Sequence, residues 1–173
     1  MTRANLILVT GGARSGKSAL AERLVARYQL PKIYIATAEA RDGEMSTRIQ
    51  RHRESRGSGW QTVEEPIALT DALLNTDRQG VRLIDCLTLW LSNCLGSADI
   101  DALCDILRQQ HTPVVLVTNE LGLGIVPDNA LARQFRDQHG WMNQAVSDIC
   151  DEVWMAVSGQ PLRLKPNRDD PDA

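Results

Sequence analysis

No apolar run in this chain is long enough to cross a bilayer. The longest, such as "ANLILV" and "VVLV", are a fraction of the roughly 20 residues a spanning helix needs. The amino-terminal "MTRANLILVTGG" runs straight into a glycine motif, so no cleavable signal peptide is expected. Excess positive charge is also missing: the formal net charge is −3, which argues against a non-specific nucleic-acid binder. Cys86, Cys94, Cys104 and Cys150 show no C-x-x-C spacing and no zinc-like pairing with histidine. Buried free thiols in a reducing cytoplasm are the expectation. There are no internal repeats and no linker that would divide the chain.

What is present reads as one domain. The 173 residues, 43% hydrophobic and 24% charged, suit an ordinary globular fold burying about two thirds of its unfolded-chain surface. The domain is expected over residues 1–165, with "PNRDDPDA" at 166–173 a polar, proline-bounded and disordered tail. Buried strands are expected at Asn5 to Thr10, Lys32 to Thr37, Val81 to Cys86 and Pro113 to Asn119, with a shorter one in "WQTVEE". Helices are expected from about Lys17 to Tyr28, Asp42 to Arg56, over "IALTDALLN", in segments ending near Gln110, and from about Asn129 to Cys150. The last of these leads into "EVWMAVSG" and a final strand, "PLRLK". Apolar strands alternating with helices imply an α/β fold, a mainly parallel sheet with helices on both faces.

The strongest local pattern is "GGARSGKS", in which Gly11, Gly16, Lys17 and Ser18 match G-x-x-x-x-G-K-[ST] between a strand and a helix. Glycines let backbone N–H groups curl around phosphate oxygens, and the helix N-terminus adds its dipole. Lys17 would meet the β/γ-phosphates and the Ser18 hydroxyl would ligate Mg²⁺. The motif therefore predicts a P-loop that binds a nucleoside triphosphate, and the core is expected to be a P-loop NTPase of the RecA-like kind. Asp85 closes the strand "VRLID", where a carboxylate either serves Mg²⁺ or caps the next helix. Thr118, Asn119 and Glu120 follow "PVVLV" at another carboxyl edge, where ligands of parallel sheets collect; plain loop polarity is the alternative.

The segment "RIQRHRESRGSGW" sets His52 among arginines. At 3.6 residues per turn Arg48, His52 and Arg56 share a helix face, with Ile49 and Arg53 beside it. A solvated basic face is one reading. Adjacent cations would also keep an imidazole unprotonated, and guanidiniums can fork onto phosphate oxygens. Gly57 and Gly59 then end the helix and make it a plausible moving element. No N-K-x-D sequence is present, so a guanine-reading GTPase switch is not indicated. A plain small-metabolite kinase and a GTP-binding regulatory module remain as alternatives.

Taken in order, "LVTGGARSGKS", "YIATAEARDGEMSTRIQRHRESRGSGWQTVEEP", "LIDCLTLWLSN", "VVLVTNELGLGIVP" and "LARQFRDQHGWMNQAVSDICDEVWMAVSG" resemble the bifunctional adenosylcobinamide kinase/adenosylcobinamide-phosphate guanylyltransferase family of cobalamin biosynthesis. The resemblance runs from about Leu6 to Lys165. It implies phosphorylation of the adenosylcobinamide hydroxyl with ATP or GTP. GMP from GTP is then carried on a histidine to adenosylcobinamide phosphate, giving adenosylcobinamide-GDP. The guanylylated histidine falls on His52, which with Lys17 forms the implied catalytic pair. Nucleotide contacts are implied for Thr10, Gly11, Gly12, Ala13, Arg14, Ser15, Gly16, Lys17, Ser18, Ala36, Thr37, Ala38, Arg53, Glu54, Ser55, Arg56, Glu64 and Asp85, and Mg²⁺ ligation for Ser18 and Asp85. A carboxylate at Glu64 suits the guanine N1–H and N2–H₂ edge, or is simply a loop acid before Pro66. The resemblance also implies a cytoplasmic homotrimer with sites near subunit boundaries. The segment from Asn93 to Gln110 is shorter than in some relatives. His111, expected to end a helix, and His139, expected in a turn before Gly140, lie outside the motif. Trp60 either stacks on a base or packs; Trp90, Trp141 and Trp154 are expected to pack.

Overall fold

Residues 6–9 and 114–117 are apolar without interruption, and both runs are buried on both sides. Such strands belong in the middle of a parallel sheet, which is where they lie in the computed structural model, which describes residues 4–39, 43, 47, 50, 54, 56–94 and 96–166. The elements are β1 (Leu6–Gly11), α1 (Lys17–Val25), β2 (Lys32–Ala36), β3 (Trp60–Glu64), α2 (Leu69–Thr76), β4 (Val81–Asp85), α3 (Leu87–Cys94), α4 (Ile100–Arg108), β5 (Val114–Val117), α5 (Ala130–Ile149), β6 (Glu152–Val157) and β7 (Gln160–Lys165). The strands form a seven-stranded sheet in the order β3-β2-β4-β5-β1-β6-β7. All neighbours pair parallel except β7, which returns antiparallel along β6.

The period of two along each strand divides the core. Ile7, Val9, Leu83, Val115 and Val117 point to the side where Leu20, Ala21, Leu24 and Val25 of α1 pack. Leu6, Leu8, Ile84, Val114 and Leu116 point to the other side, against α2, α3, α4 and α5. Helices therefore cover both faces, as the apolar strands require. The four cysteines are buried free thiols. Among the described residues no helix is long and apolar enough to cross a membrane.

Four expectations need correction. Helix α1 ends at Val25 rather than Tyr28, because Arg27 and Tyr28 turn back in i→i−3 bonds to Leu24 and Val25, and the Tyr28 hydroxyl is held by Asn5 Nδ2 at 2.7 Å. His111 does not end a helix; α4 stops at Arg108, and the His111 ring reaches Asp77 from the loop, Nδ1 to Oδ2 2.7 Å. His139 does not sit in a turn. It lies inside the 20-residue α5, where a mid-helix Gly140 costs only about 1 kcal/mol against the packing of Met142, Val146 and Ile149. Trp141 is 64% exposed rather than packed, because it falls off the buried stripe that runs through His139, Met142, Val146 and Ile149. Trp90 is buried, with Nε1–H donating to the Ile67 carbonyl at 2.9 Å. Trp154 is half-buried beneath the guanidiniums of Arg27 and Arg163.

At the amino edge of the sheet a charged clamp ties β4 to the loop before β5. The Arg82 side chain is wholly buried, and its guanidinium donates to Gly80 O, Thr112 Oγ1 and Gln110 Oε1, with Asp77 Oδ1 at 3.2 Å. Burial alone would raise the Asp77 pKa; the backbone and ring of His111, the Thr112 N–H and the Arg82 charge outweigh it and hold the carboxyl well below the usual range. A depressed pKa means that Asp77 contributes stability above its unfolded pKa, roughly 3.9, and loses it as pH falls towards the folded value. Asp77→Asn leaves a buried guanidinium short of its counter-charge and is expected to cost about 3 kcal/mol at neutral pH. In urea titrations that gap between parent and variant should narrow steadily below about pH 4; a gap that is constant with pH would contradict the linkage.

Candidate active site

Parallel pairing sends every strand from β1 to β6 out at the same edge. One register line there runs Glu64, Ala36, Asp85, Val117, Val9 across five strands. Glu64 is thus four strand spacings, about 19 Å, from the strand that enters the glycine turn. Trp60 stands at the other end of β3, edge-on to Tyr34 with ring centroids 6.2 Å apart, so it packs rather than meeting a base at this edge.

The turn from Gly11 to Ser18 links β1 to α1. Arg14 and Gly16 take left-handed φ values of 56° and 93°, and Gly16 is the N-cap of α1. No side chain caps that end and no acid occupies the first turn, so its N–H groups and positive dipole end are available to an anion. Lys17 Nζ lies 3.3 Å from the Gly12 carbonyl, folded over the turn. Two main-chain bonds hold the turn from opposite sides: Glu120 N–H donates to Gly11 O at 3.1 Å and Gly159 N–H to Ser15 O at 2.9 Å. Contact there is close. A Cβ built on Gly16 would lie 3.1 Å from Gly159 Cα, and one on Gly11 would meet Ala156 O at 2.7 Å. Thr10 Oγ1 and Ser15 Oγ are buried with no hydrogen-bond partner among the described residues, and buried orphan hydroxyls beside such a turn are where ligand contacts are expected.

Asp85 ends β4 two strands away from β1. The Tyr34 hydroxyl donates to its Oδ2 at 3.1 Å; burial and the Asp85 charge hold that phenol well above its ordinary pKa, so it stays a donor. Arg56 stacks on the same ring, its guanidinium carbon 3.3 Å from the centroid, an arrangement that joins a cation to a π face. Next to Asp85, the Cys86 thiol is pushed up to about 11 by burial and by the Asp85 carboxylate, while Lys17 pulls it down. Lys17 and Asp85 therefore share one electrostatic neighbourhood, and Cys86 remains an unreactive thiol at neutral pH. One hydroxyl and one carboxylate, Ser18 and Asp85, suit a hard cation that keeps most of its waters and takes its other ligands from phosphate.

The remaining sequence candidates divide. Ala36 and Ala38 border the edge beside Asp85. The polar groups of Thr37 are engaged within the protein: its N–H donates to Asp85 O, its hydroxyl both donates to and accepts from Cys86, and its carbonyl accepts from Asn93 Nδ2. Of the basic segment, Thr47, Gln50 and Glu54 are helical and tied by Thr47 Oγ1 to Gly43 O at 2.8 Å and Gln50 Nε2 to Glu54 Oε1 at 3.0 Å. Gly57 and Gly59 follow with φ of 70° and 96°, the left-handed geometry that ends helices. Arg48, Ile49, His52, Arg53 and Ser55 lie outside the described residues. Strand pattern did not single out Tyr34, since an aromatic in a buried strand reads as core, nor did it reveal the polar side chains gathered beneath Asn119.

A model of the CobU family, described as cobinamide kinase / cobinamide phosphate guanyltransferase, matches residues 7–164. The bifunctional adenosylcobalamin biosynthesis protein CobP of Pseudomonas aeruginosa is 47% identical over 167 residues, covering 91% of this chain and 96% of that one. The bifunctional adenosylcobalamin biosynthesis protein CobU of Escherichia coli is 40% identical over 182 residues, covering 92% and 99%. Among solved structures, the flagellar accessory protein FlaH of Methanocaldococcus jannaschii has a TM-score of 0.58 at 12% identity, covering 96% of this chain and 80% of that one. A type III secretion ATPase of pathogenic bacteria has 0.55 at 16%, covering 87% and 50%. These two likenesses are of fold alone, a mainly parallel sheet with helices on both faces.

The contact between Gly16 and the β6–β7 turn gives a test. Gly16→Ala forces a side chain into a left-handed residue, at about 1–2 kcal/mol, and presses on Gly159. Calorimetric titration with GTP and Mg²⁺ should show affinity lower by about tenfold or more, while Gly43→Ala, whose added Cβ has no described residue within 4 Å, should bind as the parent does.

Proposed function

The chain belongs to the cobinamide kinase / cobinamide phosphate guanyltransferase family, so it is a bifunctional enzyme, and we propose that both of its transfers use a triphosphate held in the Gly11–Ser18 turn. The observation that carries this reading is the uncapped α1 N-terminus behind a turn clamped at Gly11 and Ser15. Gly12, Ala13, Arg14 and Gly16 offer main-chain N–H groups, and Lys17 supplies charge to the β- and γ-phosphates. Ser18 and Asp85 would hold Mg²⁺, which when bound neutralises phosphate charge.

In the kinase step the aminopropanol hydroxyl of adenosylcobinamide attacks the γ-phosphorus of ATP or GTP, and the nucleoside diphosphate leaves. In the guanylyl step the neutral His52 ring attacks the α-phosphorus of GTP. A P–N bond forms, the bond to the β-phosphate oxygen breaks, and pyrophosphate leaves. An oxygen of adenosylcobinamide phosphate then attacks the same phosphorus, and the electron pair of the P–N bond returns to the ring. Two easier displacements replace one, the ordinary gain of covalent catalysis. Arg53 and Arg56 would meet phosphate oxygens as charge builds. For Arg56 that means leaving the Tyr34 face, and the glycines at 57 and 59 supply the backbone freedom. Glu64 is suited to the guanine edge. We further propose one domain over residues 1–165, a cytoplasmic setting and a homotrimer, each on the strength of family membership.

Incubation of the full chain with α-³²P-GTP and Mg²⁺ should leave an acid-labile, base-stable label, seen as a GMP-sized gain in intact mass. His52→Ala should abolish the label while still phosphorylating adenosylcobinamide. A label that persists in His52→Ala would remove the histidine from the mechanism.

A further inference from the structure

Beyond Val117 the chain passes through Thr118 and Asn119 to Glu120, and polar side chains from two helices gather under that turn with Thr118. His139 of α5, 1% exposed, sets Nε2 2.9 Å from Thr88 Oγ1 and 3.2 Å from Thr118 Oγ1. Thr118 Oγ1 donates to Asn143 Oδ1 at 2.8 Å. Asn143 Nδ2 donates to the Asn119 carbonyl at 3.1 Å and lies 3.5 Å from His139 Nδ1. The Asn119 N–H donates to Thr88 Oγ1 at 2.9 Å.

The protons in this cluster have only one consistent arrangement. The Asn119 carbonyl can only accept, so it fixes which end of the Asn143 amide faces it. That leaves Oδ1 to accept from Thr118, and it presents Nδ2 hydrogens to His139 Nδ1, which must offer a lone pair. The ring hydrogen is then on Nε2 and points at the two threonine oxygens. A second ring proton would set Nδ1–H against the amide hydrogens. Burial likewise lowers the His139 pKa, with Glu120 pulling the other way. Satisfied networks of this kind hold one geometry.

What the cluster holds lies at the phosphate turn. Its last member, Asn119, precedes the residue whose N–H bonds Gly11 O, and Thr88 lies in the first turn of α3, which begins directly after Asp85 and Cys86. We propose that His139, together with Asn143, is a positioning residue: through Thr88 and Thr118 it fixes the Asn119–Glu120 turn against Gly11 and sets the phosphate loop relative to the Asp85 edge. This rests on the reading that the substrate phosphates bind in the Gly11–Ser18 turn. The imidazole, buried beneath the edge, touches no substrate.

The test uses the full chain with Thr118→Val, which removes the hydroxyl at nearly constant volume, Thr118→Ser, which keeps it, and His139→Phe. Thr118→Val and His139→Phe should lower kcat for adenosylcobinamide phosphorylation by about tenfold or more with KM for nucleotide within about twofold, and Thr118→Ser should restore it to within about threefold. Amide hydrogen exchange at Glu120 should quicken in Thr118→Val and recover in Thr118→Ser, while Leu8 and Val9 in β1 stay protected. Unchanged kcat with a lower melting temperature, or exchange that rises evenly over the sheet, would make His139 a structural residue and overturn the proposal. So would a kcat loss that serine does not rescue. If the parent shows neither transfer, the function proposed above fails by itself, and the Glu120 exchange still decides the network.

Discussion

Two main-chain hydrogen bonds, from Glu120 N–H to Gly11 O and from Gly159 N–H to Ser15 O, govern the rest of this molecule. A turn that binds phosphate through N–H groups must keep them aimed outward, so its carbonyls have to be satisfied from behind. The strands on either side of β1 do this: β5 leads into Glu120 and β6 into Gly159. Because the contact is backbone to backbone, Gly16 must come within a Cβ radius of Gly159. The sheet order, the left-handed Gly16 and the antiparallel return of β7 are consequences of one requirement. A nearly rigid anion cradle has to be built from chain segments far apart in sequence.

Electrostatics at the carboxyl edge extend the same plan. Lys17 and Asp85 both act on the Cys86 thiol, so the cation of the turn and the carboxylate of β4 work on a common volume. The Tyr34 hydroxyl holds one Asp85 oxygen and the Tyr34 face holds Arg56. One aromatic ring therefore links Arg56 to the acidic edge. On the proposed chemistry, that link joins the element that carries GMP to the site that binds the triphosphate.

The elements most legible beforehand were those whose burial is absolute. The β1 and β5 strands are unbroken apolar runs at Leu6–Val9 and Val114–Val117, and the glycine turn between strand and helix carries its own chemistry. Misreadings came where tertiary packing outweighed local propensity. Gly140 suggested a break at His139, yet the apolar stripe of α5 carries the helix through it. Trp141 suggested core, yet it falls beside that stripe. In α1 the last turn tightened because Tyr28 found a partner in Asn5, 23 residues earlier, and nothing local signals such a contact.

By itself the amino-acid order determined the alternation of strand and helix, the phosphate turn and the family, because these depend on periodicity and on residues adjacent in the chain. It also put Asp85 and the residues after Val117 at strand ends. Only the tertiary structure decided that those ends meet, since register and strand order arise from side chains packing between distant segments. The same is true of the cluster around His139. Its partners come from α3, α5 and the turn after β5, and hydrogen bonds between segments 21 to 51 residues apart leave no periodic trace in a sequence.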